Sequence, residues 1–116
     1  MSPEDNDPTV ATERADSTVI TLTGELDAND VDGLRPQFER IGEGAGWVVV
    51  DVSAVSFMDS SVLGLLVAAR TEAVEAGRQV CLVGATRNVL RLFSVTNLDS
   101  VFPMFETLND VPEFTG

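Results

Sequence analysis

The sequence contains no histidine and no lysine, and it has a single cysteine, Cys81, among its 116 residues. A serine nucleophile needs a neighbouring base, and neither a Ser-His nor a Ser-Lys pair can form without those residues. A metal site would have to consist of carboxylates, and the acidic residues follow no metal-binding loop spacing. Glycine-rich phosphate-binding motifs and the Gly-x-Ser-x-Gly motif are also absent. The sequence therefore predicts no enzymatic activity, no cofactor and no metal site.

The charge is strongly one-sided, because seven arginines stand against 19 acidic residues and give a net charge of -12. Nucleic-acid phosphates and anionic lipids should repel such a chain, so we expect neither a nucleic acid nor a membrane as its partner. A basic protein surface is a better match. The first 16 residues show no signal pattern, and no apolar run approaches the ~20 residues of a membrane span. These features predict a cytoplasmic protein.

Cys81 lies in a short apolar run, Gln79-Val80-Cys81-Leu82-Val83. A lone cysteine cannot form a disulfide within one chain. Free cysteine in such a run usually behaves as a small buried hydrophobic side chain. We therefore expect Cys81 to be a buried part of the core.

The order of the remaining patterns predicts a small α/β domain over residues 9–112, between a flexible acidic N-terminus (1–8) and a C-terminal tail (113–116). Strands are predicted at residues 9–15, 18–23, 47–52, 79–83 and 100–105, with a hairpin turn at 16–17. Helices are predicted from Asn29 or Asp30 to about Ile41, at 60–76, and from Thr86 or Asn88 to about 95, with at most a short helix at 106–111. Gly77 and Asn97 are expected to close the second and third helices. Right-handed crossovers then give a mostly parallel sheet of four or five strands with an antiparallel edge hairpin.

The most informative segment is residues 56–65, Ser-Phe-Met-Asp-Ser-Ser-Val-Leu-Gly-Leu, which opens the second predicted helix. It places Ser60 and Ser61 next to Asp59, and if Ser60 caps the helix, its hydroxyl accepts from the backbone amide of Val62 or Leu63. A phosphate added there would bring a charge of about -1.5 to -2, which the helix N-terminus tolerates. Asp59 would repel it, as would Asp27 if that loop lies near. We therefore expect phosphorylation to act on an interface more than on the fold.

The second predicted helix is more apolar than a helix that packs one face on a sheet. Val62 and Leu65, near its first turn, account for the excess. Either a neighbouring helix of the same chain or a partner protein must cover them. The sequence leaves both possibilities open.

Three segments resemble one known family in their order and spacing. They are Leu-Thr-Gly-Glu-Leu-Asp at 22–27, the run from Val50 through Asp59-Ser60-Ser61 to Gly64, and Val-Leu-Arg-Leu-Phe-Ser-Val-Thr-Asn-Leu at 89–98. The sequence resembles the STAS domains, specifically the free-standing anti-sigma factor antagonists of bacteria, over about residues 8–112. The resemblance implies a STAS-like fold.

The resemblance also implies a mechanism in which Ser60 is the phosphoacceptor. The unphosphorylated protein would bind an anti-sigma factor that is also a serine kinase, and so free a sigma factor for transcription in stress or sporulation signalling. The kinase, which carries ATP and magnesium, would phosphorylate Ser60 and expel the antagonist, and a phosphatase would reset the switch. The expected partner-binding residues come from the first loop and from the start of the second helix: Glu25, Leu26, Asp27, Asn29, Asp59, Ser60, Ser61, Val62 and Leu65.

One position departs from the family pattern. The family usually has glycine after the second serine, where this sequence has Val62. We expect the larger side chain to add bulk beside the acceptor and either to restrict the choice of kinase or to slow phosphoryl transfer. Val62 also supports an alternative, a STAS-type ligand-sensing or scaffold module that is not regulated by phosphorylation.

Overall fold

The computed structural model describes residues 9–14 and 17–114. One sheet holds five strands in sequential order, β1 (Thr9–Arg14), β2 (Ser17–Leu26), β3 (Trp47–Met58), β4 (Gln79–Val83) and β5 (Met104–Phe105). β1 pairs antiparallel with β2 at one edge, and the other neighbouring strands are parallel. Three helices connect the strands, α1 (Val31–Glu39), α2 (Ser60–Glu75) and α3 (Arg87–Val95). The predicted α/β architecture with an antiparallel edge hairpin is confirmed.

Both faces of the sheet are covered, which explains why β3 starts with an uninterrupted apolar run. Side chains alternate along a strand, so Val48 and Val50 join the larger core cluster with the helices. Trp47 and Val49 point to the opposite face, where the C-terminal segment packs. There the Trp47 indole Nε1–H donates to the carbonyl of Pro112 at 2.8 Å. The ring of Phe114, a residue assigned to the tail from the sequence, stacks edge-on against Trp47 at 5.8 Å.

Cys81 lies on this second face and is fully buried, as predicted. Burial away from water penalises the thiolate and raises the pKa of Cys81 to about 12. The thiol is therefore a neutral core group at physiological pH.

The region between β2 and α1 differs from the prediction. Asn29 lies inside a 3₁₀ turn, Ala28–Asp30, and α1 begins only at Val31. Asp30 precedes α1 but makes no side-chain cap to it, because its carboxylate accepts from the Asp27 amide at 2.9 Å. The helix predicted to reach Ile41 is α1 followed by a second 3₁₀ turn, Ile41–Glu43. Reciprocal capping within the short turn thus replaces the expected helix cap.

The C-terminal third also differs in part. Gly77 and Asn97 have the expected left-handed backbone, with φ of 78° and 62°. The last strand, however, is only β5, because a 3₁₀ turn occupies Leu98–Ser100 and Pro103 has no amide hydrogen for the sheet. The predicted terminal helix is a 3₁₀ turn, Leu108–Asp110. None of the described helices is long and apolar enough to span a membrane.

At the N-terminal side, Ser17 was expected in the hairpin turn but opens β2, where it pairs with Arg14. The other predicted turn residue, Asp16, and the N-terminus (1–8) lie outside the described residues.

The largest difference concerns β3, which was predicted to end at Val52 and continues to Met58. It stays paired with β2 through two register shifts, one between Thr21 and Thr23 and one between Gly24 and Glu25. Gly24 has a φ of +95°, a backbone conformation that a residue with a side chain rarely adopts. The irregular pairing keeps the two strands together to their ends, so that Leu26 lies beside Met58.

Candidate phosphorylation and partner-binding site

The paired ends of β2 and β3 bring the first loop next to the start of α2. The Asp59 amide donates to the carbonyl of Leu26 at 3.1 Å, immediately after the last strand pair. Residues 25–30 and 59–61 therefore form one surface, which we call the serine corner. The proximity of Asp27 and Asp59 that the sequence left conditional is present in the structure.

The Asp59 carboxylate joins the two halves of the serine corner. Its Oδ1 accepts from the amides of Ser61 at 2.9 Å and Val62 at 3.2 Å. Its Oδ2 accepts from the amide of Ala28 in the first loop at 3.1 Å. The N-cap of α2 is thus Asp59, and the possibility that Ser60 caps the helix is not realised. A carboxylate makes stronger, charge-assisted bonds to amides at the positive end of a helix than a hydroxyl does.

Ser60 is the first residue of α2 and is exposed. Because Asp59 has taken the capping role, the Ser60 hydroxyl has no hydrogen-bond partner among residues 17–114. Ser61 is exposed as well, but its amide is tied to Asp59. Modification of the Ser60 oxygen would therefore not have to break an interaction that holds the fold.

The first loop adds further carboxylates. The Asp27 carboxylate accepts from the amide of Asn29 at 2.9 Å, while the Asp27 amide donates to Asp30. In the described part of the chain, the ion pairs are Arg35–Asp32 and Arg40–Glu43, so no cation neutralises this corner. Nor do His, Cys, Asp and Glu side chains within the described ranges form a group of three that could hold a metal. The serine corner is therefore an acidic surface.

The structure divides the expected partner-binding residues into two sets. Asp59 is half-buried, and five other residues are exposed: Glu25, Asp27, Asn29, Ser60 and Ser61. The remaining three belong to the core, with exposed fractions of 1% for Leu26, 0% for Val62 and 7% for Leu65. Their side chains are not available to a partner, and that part of the expected surface is wrong.

The burial of Val62 settles two questions that the sequence raised. Val62 and Leu65 pack in the same core cluster as Leu34 and Phe38 of α1, so the chain itself covers the excess apolar surface of α2. Val62 consequently adds no bulk to the surface beside Ser60, which removes the ground for the expected effect on the choice of kinase or on phosphoryl transfer. Sequence reasoning also missed the cap at Asp59, although aspartate is as good an N-cap residue as serine.

The STAS domain family model matches residues 9–111 of the chain. The anti-sigma-B factor antagonist of Listeria monocytogenes is 30% identical over 83 residues, which cover 71% of this chain and 73% of that protein. The crystal structure of an anti-sigma factor antagonist from Mycobacterium paratuberculosis has a TM-score of 0.79 at 25% identity, covering 88% of this chain and 87% of that one.

The anti-sigma factor antagonist SpoIIAA has been solved in two states. Its unphosphorylated form has a TM-score of 0.76 at 25% identity and covers 88% of this chain and 90% of that one. Bacillus SpoIIAA in the phosphorylated form has a TM-score of 0.70 at 23% identity, with 88% and 94% covered. The chain therefore belongs to the STAS domain family of non-enzymatic regulatory proteins, in the group of anti-sigma factor antagonists.

Proposed function

We propose that this protein is a phosphorylation-switched antagonist that, in its unphosphorylated form, binds an anti-sigma factor with serine kinase activity and frees a sigma factor. Phosphorylation of Ser60 ends the complex, a phosphatase reverses it, and the switch operates in the cytoplasm. One observation carries the proposal: the Ser60 hydroxyl is exposed and without a partner in the described structure, at the centre of an uncompensated acidic corner. The roles of the kinase and the phosphatase are taken from the family that the sequence resembles.

The chemistry needs little from the antagonist itself. The Ser60 oxygen forms a bond to the γ-phosphorus of ATP while the bond to ADP breaks, and the hydroxyl proton passes to a base of the kinase. The chain contributes a nucleophile in a fixed place, because Asp59 holds the first turn of α2 against the first loop. ATP and magnesium belong to the kinase.

The loss of binding on phosphorylation follows from the charge of the added phosphate. A phosphate brings about -1.5 to -2 charges to a corner that already carries Asp27, Asp30 and Asp59. A docked partner would have to bury that charge, and an unpaired charge buried at an interface costs several kcal/mol. The fold should tolerate the phosphate, because the positive end of the α2 dipole favours an anion. Binding is therefore lost while the domain stays folded.

The direct test is to incubate the protein with its anti-sigma factor kinase, ATP and magnesium, and to follow phosphate addition by intact mass. Wild type and Ser61→Ala should gain one phosphate, whereas Ser60→Ala should gain none and remain bound to the kinase. Ser61→Ala is the matched control because both hydroxyls are exposed at the same helix end. A phosphate mapped to Ser61, Thr23 or Thr96 would contradict the assignment.

A second test separates the interface effect from a structural one. Ser60→Asp should lower the affinity for the anti-sigma factor by about tenfold or more, or roughly 1.4 kcal/mol. The melting temperature should change little, because an acidic residue at a helix N-terminus is mildly favourable, by about 0.3–1 kcal/mol. Isothermal titration calorimetry and thermal melts of the same sample measure both. Lost affinity together with a collapsed melt would refute the interface switch.

The alternative function is a ligand-sensing or scaffold module that is not phosphorylated. Val62, which supported it, is buried and no longer does so. A cavity of about 420 Å³ does lie at the opposite end of the sheet, lined in part by Arg70, Val74 and Val101. The alternative would gain support if the kinase bound the protein without phosphorylating it.

A further inference from the structure

The serine corner lacks the kind of side chain that usually dominates a protein interface. Apart from the small Ala28, its exposed residues are polar or acidic, and the three apolar residues expected there are buried. Most binding energy in protein complexes comes from a few aromatic, aliphatic or arginine anchors that lose their water, while the polar rim contributes little. An additional surface next to the corner should therefore supply those anchors.

Such a surface adjoins the corner on its β3 side. A groove of about 290 Å³, which we call the α3 groove, is lined by Phe57, Met58, Asn88, Arg91, Leu92 and Val95. Phe57 is 48% exposed, and Val95, at 71%, is the most exposed of the large apolar residues in the part of the chain whose burial is described. Phe57 lies near the end of β3 and precedes Asp59 by two positions, so the groove adjoins the serine corner along the chain.

The groove is a built feature of the fold. Asn88 at the start of α3 donates from Nδ2 to the carbonyl of Ser56 at 3.0 Å, which fixes the helix against the end of β3. Leu92 packs against the main core. Residues 88, 91, 92 and 95 follow helical spacing and share one face of α3. The exposed apolar side chains therefore occupy fixed positions.

The charge of the groove is opposite to that of the rest of the molecule. Arg91 lines it, and Arg87 lies one turn away on the same helix; both are exposed. Neither takes part in the ion pairs of residues 17–114, which involve Arg35 and Arg40. On a chain with net charge -12, two unneutralised arginines beside an apolar groove fit a partner segment that combines an apolar side chain with carboxylates.

We propose that the α3 groove is the second half of the partner-binding surface and takes an apolar side chain flanked by a carboxylate from the anti-sigma factor. This inference rests on the proposed function. The serine corner would contact basic groups of the same partner, and the groove its acidic ones. Opposite charges on adjacent patches would fix the orientation of the partner in the complex.

The experiment measures the binding of the purified anti-sigma factor kinase to two groove variants by calorimetry. Val95→Asp should weaken binding about tenfold or more, and Arg91→Glu about three- to tenfold. Matched controls are Val74→Asp, which alters an apolar residue on α2 that is 49% exposed, and Arg40→Glu, which alters an exposed arginine directly after α1. Both controls should bind within about twofold of wild type, and all four should melt like wild type, because surface changes rarely alter stability much.

The outcomes separate the two proposals. If the groove variants bind like wild type while Ser60→Asp binds less, the α3 groove is not an interface and the proposed function stands. If Val74→Asp loses as much affinity as Val95→Asp, the groove has no specific role. If sedimentation shows a wild-type dimer that Val95→Asp dissociates, the occupant is a second copy, contrary to the proposal. If the wild type neither binds the kinase nor gains a phosphate, both proposals fail.

Discussion

The two ends of the sheet each depend on one charged side chain that binds the main chain of separate segments. At the carboxyl end of β3, the Asp59 carboxylate accepts from amides of the first loop and of α2. At the amino end of β4, the Arg78 guanidinium donates to the backbone carbonyls of Ile41, Ala45, Gly46 and Trp47, and to the Thr18 hydroxyl. Both residues position loops, but they do so in opposite surroundings.

The difference is exposure. Arg78 is only 2% exposed, and the chain packs so tightly around it that a Cβ at Gly44 would lie 2.7 Å from its Nη1. Asp59 is half-buried and has exposed serines beside it. A charge that is buried away from water can only stabilise the structure, because removing it leaves buried carbonyls without donors. A charge at an exposed surface can stabilise the structure and also interact with a new charge that is added next to it.

The largest effect on stability is expected at the end of the sheet that contains the buried Arg78. Arg78→Met should lower the free energy of unfolding by about 3–5 kcal/mol, because it leaves several buried carbonyls without donors, at about 1–3 kcal/mol each. Urea unfolding followed by Trp47 fluorescence and far-UV circular dichroism measures the loss. Arg40→Met is the control, since its ion pair with Glu43 is exposed and such pairs contribute little, about 0–1 kcal/mol. A loss below about 1 kcal/mol at Arg78 would remove the distinction between the two ends.

An intermediate effect on stability is expected in the middle of the sheet, at Cys81 of β4. The sequence has no lysine, tyrosine or histidine, so cysteine is the only side-chain type present whose reference pKa lies between about 6 and 12. The unfolded thiol ionises near pH 8.5, about its reference value, whereas burial raises the pKa of Cys81 in the fold to about 12. The unfolded chain therefore releases its proton first. Stability should be full below about pH 8.5 and should fall by up to about 1.4 kcal/mol per pH unit above it.

Urea midpoints at several pH values between 8 and 11 would measure that slope. Cys81→Ala removes the titrating group. Its free energy of unfolding should be lower than that of wild type by a constant amount, because the side chain is smaller, and should hardly change with pH over the same range. Parallel declines in wild type and Cys81→Ala would show that the alkaline sensitivity lies elsewhere. A flat wild-type profile would mean that the thiol is not shielded from water in the fold.

The sequence predicted well what depends on local pattern. The bounds of β4 and the left-handed residues Gly77 and Asn97 follow from an apolar run and from residue type alone. The extension of β3 beyond Val52 could not be predicted in this way, because exposed polar residues interrupt its apolar pattern and only the irregular pairing with β2 maintains the strand. The burial of Arg78 was equally hidden, since an arginine after a helix-closing glycine ordinarily lies at the surface.

In the candidate site, too, the sequence predicts some features and not others. The resemblance predicts Ser60 as the acceptor, and the order of strand and helix predicts the corner. The choice of cap between Ser60 and Asp59, and the burial of Leu26, Val62 and Leu65, depend on how α1 and the first loop meet α2. Such contacts between elements distant in sequence are not encoded in either element alone.

The smallest effect on stability is expected at the open end. Asp59→Ala should lower the free energy of unfolding by about 1–2 kcal/mol, the usual contribution of an N-cap. Hydrogen exchange should show reduced protection of the Ser61, Val62 and Ala28 amides, which the carboxylate accepts from. Asp99→Ala, at an exposed aspartate of a 3₁₀ turn, is the matched control and should change neither quantity.

Asp59→Asn sharpens this test, because an asparagine keeps one acceptor oxygen but offers an NH₂ group in place of the other. If the oxygen stays toward α2, protection of Ser61 and Val62 should be retained while that of Ala28 is lost. The helix would then remain capped with the first loop released, and affinity for the anti-sigma factor should fall although stability hardly changes. Unchanged protection of Ala28 in Asp59→Asn would mean that the loop is held by its own Asp27–Asp30 capping, and that Asp59 supports only the helix.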